Sequence, residues 1–178
     1  MIYLFLAEGF EEIEALATAD ILRRAGGQVK LAGVGGLRVK GAHGIVAEAE
    51  LLAEDVPAPE PEDAVVLPGG PGTRNLEASP AVQAAVDSAA HSGAWLAAIC
   101  AAPSILGHKG LLRGKKAVCY KGYEKDLEGA QVQDTAVCED GRVLTGNGPG
   151  AAFAFGLLLA QRICGADVGR LKAAMRIE

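Results

Sequence analysis

The sequence has no long hydrophobic run and few aromatic residues. Only 4% of its 178 residues are aromatic, and no apolar stretch approaches the roughly 20 residues that a membrane-spanning helix needs. The opening MIYLFLAEG is apolar for only a few residues before Glu8, and it has neither a basic n-region nor a cleavage site. This pattern predicts a buried first strand rather than a signal peptide. We therefore expect a cytoplasmic protein that does not bind a membrane.

An excess of basic residues is also lacking. The chain contains 17 Lys and Arg against 22 Asp and Glu, which gives a formal net charge of -5. Proteins that bind nucleic acid usually present a basic patch that contacts the phosphates. We therefore expect no nucleic-acid partner.

Motifs for metals and cofactors are absent as well. The cysteines show no CxxC pairing and the three histidines stand singly, so no metal site is expected. GxGxxG is missing, and LPGGPG is not followed by the G-K-[ST] of a phosphate loop. The sequence therefore predicts a protein without a cofactor, and without a secretory signal its cysteines are expected to be reduced thiols. These cysteines are Cys100, Cys119, Cys138 and Cys164.

What the sequence does contain is an alternation of short apolar runs with amphipathic segments. The runs IYLFLA, QVKLAGV, AVVLPGG, AWLAAIC and KKAVCY are typical of strands, and LRVKGAHGIVAEA of short additional strands. Helical patterns are EEIEALATADILRRAGG, SPAVQAAVDSAAHSG, GPGAAFAFGLLLAQRICG and ADVGRLKAAMR. QDTAVCEDGRVLTG predicts a hairpin around Asp140-Gly141. Together they predict one α/β domain over residues 1–178, with a doubly wound, mostly parallel sheet in a flavodoxin-like three-layer sandwich.

Three features follow directly after predicted strands. They are an acidic cluster in the first turn of the first helix, the pair Gly69-Gly70, and Cys100 in the segment LAAICAAPSIL. The acidic cluster consists of Glu11, Glu12 and Glu14. Because doubly wound folds place their sites at the carboxyl ends of the strands, we expect these features to converge.

The position of Cys100 predicts an activated thiol. A turn into a helix exposes the thiol to the helix dipole and to amide donors, which together lower a thiol pKa from about 8.5. The backbone N–H groups of Gly70 and Ala101 could hold an oxyanion there, and a carboxyl kept protonated by burial could donate to the sulfur. Each feature also has an ordinary interpretation: a packed cysteine, a solvated acidic helix start and a simple turn.

A family resemblance rests on four segments. AEGFEEIEA, VVLPGG, AAICAAP and TGNGPGAAFAF resemble, in that order, the signature segments of the DJ-one/ThiJ/PfpI superfamily, in its DJ-one/ThiJ branch. The similarity spans essentially the whole chain, and the pairing of A-I-C-A-A-P with G-x-E-E-x-E is specific. The resemblance implies the family's fold, that of class I glutamine amidotransferase-like domains, and a homodimer.

The same resemblance implies roles for four residues. Cys100 matches the family's reactive cysteine, which is easily oxidised to sulfinate, and Glu14 matches the protonated carboxyl that bonds its sulfur. Gly70 and Ala101 match the backbone donors that face the sulfur. The activities described for relatives are cofactor-free conversion of methylglyoxal to lactate (glyoxalase III), repair of early glycation adducts (deglycase) and protection against oxidative stress. The implied partners are small aldehydes or glycated adducts.

One position departs from the family pattern. Some relatives carry a histidine, assigned a base role, where this chain has Tyr120 after the strand that KKAVCY matches. With an ordinary pKa near 10, tyrosine is a poorer base at neutral pH but a usable hydrogen-bond donor. His43 falls near a polar pocket position of relatives and is a possible substitute, and Cys119 is a possible second thiol near the pocket.

The remaining histidines and cysteines are interpreted as structural. His91 and His108 sit near predicted helix ends, where capping or packing roles are common. Cys138 lies in the predicted hairpin and Cys164 near a helix C-terminus, where the dipole raises a thiol pKa.

Three functions remain open at this point. The first is an enzyme on reactive carbonyls that uses Cys100, Glu14 and the amides of Gly70 and Ala101. The second is a redox-sensing or chaperone-like binding protein switched by Cys100 oxidation. The third, a cysteine peptidase or amidase, is the weakest. Ala101 stands where the peptidase branch has histidine, and the His-x-Glu pair of the amidotransferase branch is missing.

Overall fold

The architecture is built on a seven-stranded, mostly parallel sheet. It was analysed in a computed structural model, which describes residues 1–177. The sheet strands are β1 (Ile2–Leu6), β2 (Val29–Gly33), β5 (Leu51–Leu52), β6 (Ala64–Leu67), β7 (Trp95–Ile99), β10 (Val137–Asp140) and β11 (Val143–Gly146). Their spatial order is β10-β11-β7-β6-β1-β2-β5, and only the β10–β11 pair is antiparallel. This confirms the predicted doubly wound α/β sandwich.

Six helices and two small sheets complete the described part of the chain. The helices are α1 (Glu12–Arg24), α2 (Thr73–Ala78), α3 (Pro80–Ser92), α4 (Pro103–His108), α5 (Ala152–Cys164) and α6 (Val168–Met175). One small sheet pairs β3 (Arg38–Lys40) with β4 (Val46–Glu48), and the other pairs β8 (Lys116–Ala117) with β9 (Gln131–Val132). None of the helices within residues 1–177 combines the length and apolarity needed to cross a membrane.

The alternation of side chains along β1 explains why the sheet is covered on both faces. Successive strand residues point to opposite faces, and in β1 Leu4 packs into the core that contains α1 and α5, whereas Phe5 packs into the core that contains α3 and α4. On the first face α5 packs closely against α1. Gly156 lies at this contact, where an added Cβ would be only 2.7 Å from Ile21 Cδ1. The outcome is a sheet between two apolar layers, with its carboxyl edge left open.

Two local predictions from the sequence are confirmed in kind but differ in extent or position. KKAVCY forms a strand only over Lys116–Ala117, and this strand pairs with β9 outside the central sheet. The hairpin loop lies one residue later than expected. Asp140 is still paired with Val143, and Gly141, at φ 61°, takes the left-handed conformation that the turn requires.

Candidate active site

The candidate site lies at the carboxyl ends of three adjacent strands. The loop after β1 leads into the acidic first turn of α1, β6 is followed by Gly69 and Gly70, and β7 by Cys100. Because β7, β6 and β1 are neighbours in the sheet, their three loops meet at one edge. The expected convergence of these sequence features is therefore present in the structure.

Cys100 occupies a strained turn between β7 and α4. Its φ is 65°, a left-handed conformation that non-glycine residues seldom adopt and that costs about 1–3 kcal/mol. Two backbone hydrogen bonds hold it there. Its N–H donates to the Gly146 carbonyl at 2.9 Å, and its carbonyl accepts from the Tyr120 N–H at 2.7 Å. The neighbouring strand and loop thus fix the cysteine at the sheet edge, with the residue 7% exposed.

Glu14 is a buried carboxyl against this cysteine. It is 1% exposed, and its Oε2 accepts a hydrogen bond from the Gly69 N–H at 2.8 Å. Its Oε1 is buried and has no hydrogen-bond partner of good geometry among residues 1–177. Burial raises the pKa of Glu14 to about 7, although the Gly69 hydrogen bond and the Cys100 thiol oppose the shift. A carboxyl of this kind is half protonated at neutral pH, and its free oxygen can carry the proton.

Gly69 and Gly70 have to be glycines, because the surrounding groups leave no room for a side chain. A Cβ at Gly69 would lie 2.5 Å from Cys100 Cβ and 2.8 Å from Glu14 Oε2. Gly70 has φ 82°, and a Cβ there would lie 2.7 Å from the Glu11 nitrogen. Glycine therefore allows the backbone to pass between the cysteine and the acidic turn. The amides of Gly70 and Ala101 lie near the Cys100 sulfur and favour its thiolate, which acts to lower the pKa of the thiol.

The expectation that this turn lowers the thiol pKa was wrong. Burial, together with the negative charge of Glu14, raises the pKa of the Cys100 thiol to about 12, although the amides of Gly70 and Ala101 lower it. The helix that follows is only six residues long and begins three residues later, at Pro103, so its dipole is weak at the sulfur. Between pH 7 and pH 12, Cys100 and Glu14 therefore hold one proton and one negative charge between them.

A cavity of about 600 Å³ opens over Cys100. Its walls include Glu11, Gly70, Ala101 and Tyr120. The structure thus brings four of the predicted positions, Cys100, Gly70, Ala101 and Tyr120, to one cavity. Glu14 lies beneath it, against the sulfur. Tyr120 is 48% exposed and also lines a neighbouring cavity of about 570 Å³.

Cys119 does not share the Cys100 cavity. It is 8% exposed and lines the neighbouring one, and it packs into the opposite core layer from Cys100. Burial, with the charges of Glu124 and Asp126, raises the pKa of Cys119 to about 11. Burial also raises the pKa values of Cys138 and Cys164.

His43 lies outside the set of described residues that line the Cys100 cavity. Its Nδ1 lies 2.9 Å from Glu12 Oε2 and 3.6 Å from Glu11 Oε1, and the hydrogen bond with Glu12 raises the His43 pKa. Glu12 also accepts hydrogen bonds from the N–H groups of His43 (2.7 Å) and Ile45 (3.3 Å). Glu11, Glu12 and His43 have ligand atoms within 4.8 Å of one another, a spacing that a metal ion could bridge. Glu12 already accepts hydrogen bonds from two amides of the β3–β4 hairpin. We therefore interpret the cluster as a structural connection between α1 and this hairpin.

Sequence reasoning missed the far wall of the cavity. Thr73 and Arg74 at the start of α2 line it, together with Glu77 and His108. His108 was interpreted as purely structural, yet its Nδ1 lies 2.6 Å from Glu77 Oε1 at the cavity wall. The available signal was the position of Thr73 and Arg74 directly after the Gly69–Gly72 turn, since segments that follow strand ends border the site in such folds.

The fold and the site define a class of protein: an α/β sandwich with a cysteine at a strained strand-to-helix turn, backed by a buried carboxyl. Residues 1–162 match the model of the DJ-1/PfpI family, and the chain belongs to that family.

Relatives with names and structures are similar over nearly the whole chain. Protein dj-1beta of Drosophila melanogaster is 37% identical over 166 residues, covering 91% of this chain and 88% of that protein. The glutathione-independent glyoxalase DJR-1.2 of Caenorhabditis elegans is 34% identical over 162 residues, covering 90% and 86%. The crystal structure of a mutant DJ-1 superfamily protein from Salmonella typhimurium has TM-score 0.93 at 35% identity, covering 99% and 98%.

Proposed function

We propose that this chain is a cofactor-independent, cysteine-dependent enzyme on reactive carbonyls, and that it converts methylglyoxal to lactate. The observation that carries the proposal is the buried Glu14 carboxyl, which lies against the Cys100 thiol. The Oε1 of Glu14 has no hydrogen-bond partner among residues 1–177, and the pKa of this carboxyl is about 7. A group that titrates near neutral pH can both take and return a proton, which is the central need of this reaction. The name of the nematode relative supports the same substrate class.

The first step is addition of sulfur to the aldehyde. Transfer of the shared proton to Glu14 leaves a thiolate at Cys100, and the sulfur forms a bond to the aldehyde carbon. The carbonyl π electrons move to oxygen, where the N–H groups of Gly70 and Ala101 stabilise the negative charge. Glu14 then gives its proton to this oxygen. The product is a neutral hemithioacetal beside a Glu14 carboxylate.

The second step moves a proton between two carbons. The Glu14 carboxylate removes the C–H proton from the hemithioacetal carbon, and the electron pair moves through the new C=C bond to the adjacent carbonyl oxygen, which gives an enediolate. Glu14 returns the proton to the neighbouring carbon, and the hydroxyl proton of the hemithioacetal carbon passes to the enediolate oxygen, which gives a thioester of lactate on Cys100. Water then cleaves the thioester and releases lactate and the free thiol. The net reaction adds one water to methylglyoxal and needs neither oxidant nor reductant.

Tyr120 takes no base role in this proposal. Its ring borders the cavity while the side chain remains partly in solvent, so its hydroxyl can donate to a substrate oxygen. Glu14 alone carries the proton.

The test compares lactate formation by the wild type with that by Cys100→Ser and Glu14→Gln, with Cys119→Ser as the matched control. We expect catalytic lactate from the wild type and the control, and a loss of at least about a hundredfold in both site variants, the usual range for a lost acid–base group. Aldehyde consumption that stops near one equivalent per chain, without lactate, would contradict the proposal and indicate simple thiol trapping.

A second candidate is a redox-sensing or chaperone-like binding protein switched by oxidation of Cys100. It is favoured by the same three groups around the sulfur, because the amides of Gly70 and Ala101 and a protonated Glu14 could bind the oxygens of a sulfinate. A peptidase or amidase is disfavoured by His108. Its Nδ1 is engaged by Glu77 at 2.6 Å, and its Nε2 lies 3.8 Å from Asp126, so neither nitrogen serves as a base for Cys100.

We also propose that the chain forms a homodimer through α1 and the β3–β4 hairpin. Ile13 on α1 and Ile45 and Val46 on the hairpin are 44%, 54% and 48% exposed. Exposed apolar side chains on joined elements are typical of surfaces that pack against another chain. A second copy of this chain is the occupant that the family resemblance supports.

A further inference from the structure

The cavity over Cys100 is larger than a three-carbon aldehyde requires. Its volume of about 600 Å³ falls in the range of pockets that enclose ligands several times larger, from about 300 to 1,000 Å³. The cavity therefore has room for a substrate that carries a further group away from the sulfur.

Some charged side chains of the far wall already pair with a group of opposite charge, and one does not. His108 engages Glu77 at 2.6 Å and faces Asp126 at 3.8 Å, so these two carboxylates and the imidazole largely satisfy one another. Arg74 lines the same cavity and has no carboxylate within 4.0 Å among residues 1–177. Its guanidinium is the unpaired cation of this wall, and its five N–H donors suit the oxygens of a carboxylate or phosphate.

Thr73 supplies a second, independent observation. It is 5% exposed and lines the same cavity, yet its hydroxyl oxygen has no hydrogen-bond partner in the part of the chain that the structure describes. Buried hydroxyl groups are nearly always hydrogen-bonded, and Thr73 lines the cavity, so rotation about its Cα–Cβ bond can offer the free hydroxyl to a ligand there. The Thr73 N–H donates to the Gly70 carbonyl at 3.1 Å, which fixes Thr73 next to the amide that faces Cys100.

We propose that the Thr73 hydroxyl and the Arg74 guanidinium form an anion subsite in the Cys100 cavity, which binds a carboxylate or phosphate on the compound that Cys100 attacks. The remaining negative group near the sulfur, Glu11, lies 3.6 Å from His43 on the opposite side and does not pair with Arg74. The proposal rests on the proposed function and extends it, because it adds anionic carbonyl compounds to the uncharged methylglyoxal as substrates of the same cysteine. Thr73 and Arg74 act on binding, and the chemistry stays with Cys100 and Glu14.

The test measures protection of Cys100 from alkylation, which does not depend on turnover. Purified protein reacts with iodoacetamide at pH 7.5 and constant ionic strength, with rising lactate in one series and inorganic phosphate in the other. Labelling of Cys100 is followed by peptide mass spectrometry. We expect saturable protection by at least one anion, and the anion that protects at lower concentration identifies the preferred group.

The variants decide whether the subsite is responsible. Arg74→Gln should raise the half-protecting concentration about tenfold and Thr73→Val about threefold, the size of one lost charged and one lost neutral hydrogen bond. Arg38→Gln, which removes an exposed arginine on β3, is the matched control and should behave as wild type. Absence of saturable protection by either anion, or equal protection in Arg74→Gln and wild type, would overturn the subsite. Protection without lactate formation from methylglyoxal would keep the subsite and contradict the proposed function alone.

Discussion

At the scale of single residues, the chemistry depends on where one proton lies. Glu14 and Cys100 have pKa values of about 7 and about 12 because both groups are buried against each other. Across the neutral range the pair carries one negative charge, and the nucleophilic form is the tautomer with the proton on the carboxyl. The reactivity of the thiol should therefore follow the titration of Glu14.

The first prediction concerns the pH profile of Cys100 alkylation. The rate with iodoacetamide should rise from pH 5, pass a midpoint near pH 7 and level off by about pH 8, because loss of the first proton from the pair creates the reactive species. In Glu14→Gln the midpoint should disappear, and the rate should still be rising above pH 9. Cys138 and Cys164, followed in the same digests, are internal controls. A wild-type rate that continues to rise above pH 9 without a plateau would contradict the prediction.

The second prediction is a stability change with the opposite sign to that of most carboxylates. The folded-state pKa of Glu14, about 7, lies above its ordinary value of 4.5. Below pH 4.5 Glu14 is neutral in both the folded and the unfolded protein, so its burial carries no charge penalty. As pH rises through 7, ionisation of this carboxyl favours the unfolded state, and the free energy of unfolding falls. At 1.36 kcal/mol per pKa unit, the loss is about 3 kcal/mol.

This loss is measured by urea unfolding of wild type and Glu14→Gln at pH 5 and pH 8. The difference in unfolding free energy between the two proteins should shift by about 2.5 kcal/mol in favour of the variant at the higher pH, because part of the loss has already occurred at pH 5. Glu124→Gln, which changes an exposed carboxyl, is the control and should show no such shift. An equal difference at both pH values would mean that Glu14 is already ionised at pH 5.

At the scale of elements, Glu12 joins α1 to the β3–β4 hairpin. Its Oε1 accepts from the N–H groups of His43 and Ile45, and its Oε2 contacts the His43 ring. Burial opposes ionisation of Glu12, but these hydrogen bonds outweigh it and lower the Glu12 pKa. One side chain thereby satisfies two amides of a loop that has little apolar core of its own.

The third prediction follows from that connection. Glu12→Ala should speed hydrogen exchange at the His43 and Ile45 amides at least about tenfold and destabilise the protein by about 1.5–3 kcal/mol, the net contribution of hydrogen bonds to a charged group. Hydrogen exchange with mass spectrometry measures the first effect and urea unfolding the second. Glu48→Ala, at an exposed carboxyl on the same hairpin, should change neither. Unchanged exchange in Glu12→Ala would show that other contacts hold the hairpin.

At the scale of the whole molecule, the open question is what covers α1 and the hairpin. If a second copy packs there, Ile13→Glu should convert the dimer to a monomer, because it places a charge among apolar side chains that lose water on association. Sedimentation velocity at several protein concentrations measures the mass. Val132→Glu alters another exposed apolar residue, on β9, and should remain dimeric. A wild-type protein that sediments as a monomer at all concentrations would contradict the proposed dimer.

The sequence by itself determined the order of the elements and the identity of the central residues. Continuous apolar runs such as IYLFLA and helix start and stop signals such as Ser79, Pro80 and Gly93 depend on neighbours in the chain, so they can be read locally. The convergence of Cys100, Glu14 and Gly70 followed from one topological rule about strand ends. For these elements and residues, the local sequence pattern and the tertiary structure lead to the same assignment.

Only the tertiary structure decided the protonation of the site and the composition of its far wall. The pKa values of Cys100 and Glu14 depend on burial, which long-range packing sets, and the sequence reasoning had counted only the local turn. Thr73 and Arg74 follow a strand end and could have been found by the same topological rule, whereas His108 reaches the cavity because the sheet places α4, and no local pattern encodes that placement. The strand in KKAVCY pairs with β9 and not with the central sheet, and the sequence pattern did not specify that partner, since strand pairing is a choice between distant segments. The pKa values of buried groups and the pairing of strands depend on residues that are distant in the sequence, so local patterns alone do not determine them.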